Sequence, residues 1–300
     1  MAETCAIQRV ALQKEQLARR GGDTFLLAGK QIARIGYGAA LRVAGRPGTP
    51  DALSDLRTVQ SLLRRAIELG VTLLDTADSY GPGLSEEVIA AALRPYPPGL
   101  LIATKGGVLR SGRDETRLSG DPARLRAACE ASLRRLKLES IDLYQLHWRD
   151  PGVPFADQIG ALADLMAEGK VRHLGLCNID AVELAQATLI TPIASVQCAF
   201  GLGTDNQAAL LALCAAQGIA FIAHGPLSVL RQGGPVRQAA LLAMARRLGS
   251  SPAQIALAWI LHRAPHLIAI PGTLRHDHLE ENLRAGVLRL SAADIAALDA

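Results

Sequence analysis

Short apolar runs recur along the chain, with segments of helical period between them. The runs span residues 32–36, 71–75, 100–104, 141–146, 171–176, 193–197, 219–223 and 267–270. They are apolar at successive positions instead of alternating, as strands buried on both faces are. The segments between them carry helix starts. Asp121-Pro122 sets a cap and an N1 proline before Leu125, Cys129, Leu133 and Leu136, and Ser251-Pro252 with Gln254 forms a capping-box register before Ile255 and Trp259. The β-then-α units follow one another without a polar linker, low-complexity tract or shift in composition. This repetition predicts the α/β class and a single-domain (β/α)8 TIM barrel over residues 24–300 in preference to an open doubly wound sheet. Residues 24–36, around Ala28-Gly29-Lys30, predict a short β-hairpin ahead of the first barrel strand. Residues 1–23 read as a frayed N-terminal extension.

Composition narrows the function more than the fold. Of 300 residues, 49% are hydrophobic and only 3% aromatic, so Leu, Ala, Ile and Val pack the core. The net charge is +4 and basic residues are scattered, which leaves no footprint for nucleic acid. No apolar run reaches the roughly 18 residues of a membrane span, and the first residues lack a signal-peptide core. Cys5, Cys129, Cys177, Cys198 and Cys214 are odd in number and show no C-x-x-C spacing, which argues against a disulfide framework and fits a reducing cytoplasm. His262, His266, His276 and His278 come without the carboxylate spacing of a metal-binding helix, so no metal is expected. Gly22 to Gly29-Lys30 and Gly36-Tyr37-Gly38 lack the remaining positions of the phosphate-loop and dinucleotide fingerprints. The sequence sets no oligomeric state.

In a barrel of this kind chemistry gathers at the C-terminal ends of the strands. The second run ends in Asp75-Thr76-Ala77-Asp78-Ser79-Tyr80-Gly81, the third in Thr104-Lys105-Gly106-Gly107 and the fourth in Gln145-Leu146-His147-Trp148. Three neighbouring strands thus bring a carboxylate, a phenol, an ammonium and an imidazole to one rim. A phenol ordinarily titrates near about 10, and an adjacent ammonium lowers that value, so Lys105 is expected to make Tyr80 a better acid. A buried lysine keeps its charge only beside a carboxylate, which Asp75 supplies. His147 is placed to orient a substrate oxygen. Tyr37, Leu41, Trp148 and residues 227–234 are expected to line the pocket, and the few aromatics suggest either a small substrate or a broad, weakly selective site.

The runs GVTLLDTADSYG, IATKGG, IDLYQLHW, GKVRHLGLCN, SVQCAF and IAIPGTLRHDHLEENLRA resemble, in order, the signature segments of the aldo-keto reductase family. Ile-Pro-Gly-Thr and RIGYGA are most similar to bacterial pyridoxal reductase-like members. The resemblance implies a catalytic tetrad of Asp75, Tyr80, Lys105 and His147, and an NADP(H) cofactor, with NAD(H) the lesser candidate. It implies that Asn178 and Gln197 hold the nicotinamide carboxamide, that Gly38, Pro226 and Leu227 lie along the cofactor, and that Gly272, Thr273, Arg275, His278, Glu281 and Asn282 form its adenosine-phosphate end. Three positions depart from the family pattern. Cys177 stands for a serine, His224 for an aromatic that stacks on the nicotinamide, and His278 for an arginine of the 2′-phosphate site, leaving Arg275 for that role. The expected activity is reduction of an aldehyde or ketone to an alcohol. The rivals are a Schiff-base lyase using Lys105 and a cofactor-binding regulatory barrel with little turnover.

Overall fold

The computed structural model describes residues 24–40, 50–111, 115–204 and 206–299. Its strands are β1 Thr24–Leu27, β2 Lys30–Ala33, β3 Tyr37–Gly38, β4 Leu73–Asp75, β5 Leu101–Gly106, β6 Val108–Ser111, β7 Glu115–Leu118, β8 Ile141–Leu146, β9 Val171–Cys177, β10 Ser195–Ala199, β11 Ala220–His224 and β12 Leu267–Ala269. One sheet of eight strands runs β3-β4-β5-β8-β9-β10-β11-β12, every neighbour parallel. The sheet closes on itself. Ile35 bridges Ala269 in parallel, Gly36 N donates to Ala269 O at 2.9 Å, and Ala269 N donates to Arg34 O at 2.9 Å. Helices return the chain between strands and cover the outside, as a right-handed parallel crossover requires. Both sequence-predicted caps form. Asp121 Oδ1 accepts from Arg124 N at 3.0 Å, and Ser251 and Gln254 exchange reciprocal bonds of 3.2 and 3.0 Å.

Alternation within the strands decides what fills the barrel. Leu73, Leu101, Ala103, Leu143, Ala220, Ile222 and Ile268 form one buried cluster, into which Leu27 and Ile32 of the β1–β2 hairpin insert. The hairpin therefore packs beneath the barrel. Lys30 fastens it, donating to Leu100 O at 2.6 Å and pairing with Asp142 at 2.8 Å, which gives the Gly29-Lys30 step a structural role. The expected first barrel strand at 32–36 is corrected here. Residues 32 and 33 belong to the hairpin, because β1 takes their backbone bonds, whereas Arg34–Gly36 bond to β12 and lead into the barrel strand Tyr37–Gly38. The second hairpin, β6–β7, directly follows Lys105-Gly106-Gly107. Residues 1–23 and Leu41 lie outside the described residues.

The seam at β3 is tight. A Cβ on Gly38 would stand 2.7 Å from the carbonyl oxygen of Ile270, a backbone atom with no room to move aside. Gly38→Ala is therefore expected to destabilise the protein by about 1–3 kcal/mol, as overpacking in a close-packed interior does. Urea unfolding would check this, and an unchanged midpoint would contradict it.

The turn that carries Tyr80 rests on a buried polar layer. Glu86, fully buried, accepts from Thr104 Oγ1 and from Arg135 Nε, each at 2.6 Å. Asp78 beside it leaves Oδ1 buried without a partner. Burial, then the nearby charge of Glu86, push the Asp78 carboxyl up to about 7. Such a group binds its proton more tightly folded than unfolded, so its contribution to stability is present below the ordinary value of 3.8 and is lost as pH rises through about 7. Asp78→Asn should raise the Tm by several degrees at about pH 8 and leave it nearly unchanged at about pH 4. Thermal melts at both pH values test this, and an equal shift at each would contradict it.

Candidate active site

The inward positions, apolar or small low in the barrel, turn polar at its C-terminal layer. Two residues beyond Leu73 stands Asp75, beyond Ala103 Lys105, beyond Leu143 Gln145, beyond Gly175 Cys177 and beyond Ser195 Gln197. Period-two geometry sends all five to the same interior ring, with His147 and His224 one step higher. Lys105 has no exposed surface and Asp75 only 2%. The ammonium forms a short ion pair with Asp75 Oδ1 and donates to Thr76 O at 2.8 Å. The second carboxylate oxygen of Asp75 accepts from Gln197 Nε2 at 2.8 Å and Gln145 Nε2 at 3.1 Å. Burial alone opposes the charge on Lys105, but Asp75 outweighs it and holds the amine's pKa above the ordinary lysine value.

Tyr80 reaches this ring from the β4 turn. The Lys105 ammonium lies 5.5 Å from the centre of its ring, and the His147 ring meets it edge-on at 5.9 Å. The expected drop in the Tyr80 pKa does not occur. Burial raises the phenol's pKa, and the opposing pull of Lys105 does not overcome it, partly because Asp75 sits beside the amine. The phenol accordingly keeps its proton at neutral pH. His147 moves the other way: burial, then the positive charge of Lys105, push it down to about 3. Its imidazole is neutral, and Ser79 Oγ lies 3.4 Å from Nδ1, leaving Nε2 for other partners.

A cavity opens above the ring, walled by Asp75, Tyr80, His147 and Trp148 at one end and by Gly225–Ser228 and Ile270–Gly272 at the other. Asn178, Gln197 and His224 lie between. Asn178 adopts a left-handed backbone, φ 56°, with its Nδ2 donating to His147 O at 3.0 Å and its Oδ1 3.1 Å from His224 Nε2. Burial and then Lys105 lower the His224 pKa, so that nitrogen donates as a neutral imidazole.

Of the sequence-predicted site residues, the four of the proposed tetrad come together. Gly38, Asn178, Gln197, His224, Pro226, Leu227 and Gly272 join them along the cavity wall, as do Trp148 and, from the 227–234 segment, Ser228 and Arg231. Thr273, Arg275, His278, Glu281 and Asn282 lie beyond Gly272, on the loop and helix His276–Arg284. Tyr37 is corrected. Its side chain is 1% exposed and packs outside the barrel, donating to Thr273 O at 2.6 Å, because the alternation that turns Gly38 inward turns Tyr37 outward. Gln145 escaped sequence reasoning, although a lone amide two residues before His147 in an apolar strand was its signal. Among the described residues, no group of three or more His, Cys, Asp or Glu could hold a metal ion, and no helix is long and apolar enough to cross a membrane.

Residues 34–300 match the model of the Aldo/keto reductase family. An uncharacterised oxidoreductase of Schizosaccharomyces pombe is 41% identical over 269 residues, 89% of this chain and 86% of that protein. Pyridoxine 4-dehydrogenase of Escherichia coli is 37% identical over 92% of this chain and 97% of its own. Among solved structures, an aldo/keto reductase from Klebsiella pneumoniae in complex with NADP and acetate superposes with a TM-score of 0.78 at 29% identity, covering 92% of this chain and 94% of that one. The closed parallel barrel, the polar ring at its C-terminal rim and these likenesses lead to one conclusion: the chain belongs to the aldo/keto reductase family.

Proposed function

We propose that the chain reduces an aldehyde or ketone to an alcohol with NADPH, Tyr80 serving as proton donor. The observation that carries this reading is the convergence of Tyr80, His147 and the buried Lys105–Asp75 pair on one cavity that continues past Asn178 and His224. The donor set fits a dinucleotide. Side-chain amides and a neutral imidazole stand in the middle of the cavity, and a backbone-rich end at residues 225–228 and 270–272 suits phosphate. Asn178 and His224 would hold the nicotinamide end, with Gln197 alongside while still bonded to Asp75. Pro226, Leu227, Gly38 and Gly272 would flank the pyrophosphate, and Thr273, Arg275, His278, Glu281 and Asn282 the adenosine phosphate. When bound, the reduced cofactor supplies the hydride for the carbonyl carbon.

The remaining chemistry belongs to the protein. An alkoxide is a far stronger base than a phenolate, so the donor needs only to keep its proton until the carbonyl oxygen becomes basic. A phenol raised by burial does this. Once the proton leaves, the negative charge on Tyr80 forms near the Lys105 ammonium, in a site sheltered from water. Neutral His147 offers Nε2 to the carbonyl oxygen and fixes its direction. The same geometry speaks against a Schiff-base role for Lys105. A nucleophilic amine must be uncharged and accessible, whereas this one is paired, buried and held protonated.

Tyr80→Phe is expected to lower kcat about 100-fold or more while changing the NADPH dissociation constant less than about twofold, since only the transition state loses a bond. Cofactor-absorbance assays with a panel of aldehydes and ketones, alongside fluorescence titration of NADPH, test this. Undiminished turnover would remove Tyr80 from the reaction, and undetectable turnover by the wild type with every carbonyl would favour the regulatory barrel.

A further inference from the structure

Arg275 is not an open anion receptor. Its guanidinium donates Nε to Asp277 Oδ1 at 3.0 Å and Nη2 to Asp277 Oδ2 at 2.5 Å, a two-point fork. The same Oδ1 also accepts from His278 N at 2.9 Å, in the first turn of helix His276–Arg284. One carboxylate thus takes the guanidinium fork and a backbone N–H at the helix start. Those are the donors a phosphate monoester would seek there. Arg275 N donates in turn to Thr273 Oγ1 at 3.1 Å. The charge balance leans the same way. Arg275 is paired with Asp277, and the charges of Glu281 and His278 act on the two from nearby.

We infer that Asp277 is a specificity-determining residue that stands in for the cofactor's 2′-phosphate, competes with it for Arg275, and keeps discrimination between phosphorylated and unphosphorylated dinucleotide small. This rests on the assignment of Arg275 to the adenosine-phosphate end. A 2′-phosphate must displace the Asp277 carboxylate from the fork and then lie beside it, a like-charge contact at an exposed site. An unphosphorylated ribose needs neither, and its hydroxyls can donate to the carboxylate where it stands. The pair is well exposed, at 65% for Arg275 and 62% for Asp277, so its effect is modest and weakens as salt screens it.

The test is calorimetric binding of NADPH and NADH to the wild type, Asp277→Asn, Asp277→Ser and Arg275→Ala at low salt. Asn and Ser both retain an acceptor for the His278 N–H without the charge, and their thermal melts report whether the helix start survives. Removing the carboxylate is expected to tighten NADPH about fivefold, the size of one exposed charge contact, and to leave NADH within about twofold. The NADPH gain should shrink as salt is raised. Arg275→Ala should weaken NADPH and spare NADH. If Arg275→Ala weakens NADPH but neither Asp277 variant changes the NADPH-to-NADH ratio, the competition is refuted while the placement of Arg275 stands. If Arg275→Ala leaves NADPH binding unchanged, the placement itself is wrong and the inference falls with it.

Discussion

The active site depends on one buried ion pair. Lys105 and Asp75 sit inside a barrel whose lower layers are largely leucine, isoleucine and alanine, and both charges are almost wholly buried. Burying two ions costs several kcal/mol each, and their attraction repays it only if the remaining donors and acceptors are satisfied. Here Thr76 O takes a second proton of the ammonium, and the amides of Gln145 and Gln197 satisfy the far oxygen of the carboxylate. The pair then imposes its field on its neighbours. Burial, reinforced by the Lys105 charge, keeps His147 neutral, and burial leaves Tyr80 protonated next to that cation, so a donor is ready whose conjugate base is stabilised where it forms.

The fold delivers this pair through strand alternation, not through a motif. An inward apolar residue at one position commits the residue two further along to the same interior. Extending Leu73 by one pleat gives Asp75, and extending Ala103 gives Lys105. The turn after β4 adds Tyr80 because it is pinned from below, with Glu86 bonded to Thr104 and Arg135. Arg135 also explains the glycine at 83: a Cβ there would come within 2.6 Å of the arginine side chain, and the backbone has φ 86°.

This logic governs how much could be read before any coordinates. Fully apolar runs separated by capped helices carry the barrel, and the four candidate residues carry the rim, because both follow from local periodicity. What escaped depends on pairings between distant segments. The shift of the first barrel strand from 32–36 to Tyr37–Gly38 reflects competition from β1, which no window around residue 34 can register. The sign of the Tyr80 pKa shift turns on the degree of burial, a tertiary quantity, weighed chiefly against Lys105, which Asp75 in part opposes. At the adenosine end, Arg275 was legible as a cation, but its capture by Asp277 two residues on required the geometry of a helix start.

The central claim is that Lys105 stays an ammonium because Asp75 holds it. The most direct measurement is a 13C NMR pH titration of the Lys105 ε-carbon in lysine-labelled protein, assigned by comparison with Lys105→Arg. The account predicts that this resonance keeps the chemical shift of a charged amine through the range near about 10.4, where ordinary lysines lose their protons. A Lys105 resonance that titrates near neutral pH would contradict it, for the pair would then not exist as described, and the amine would be free for the nucleophilic chemistry rejected above.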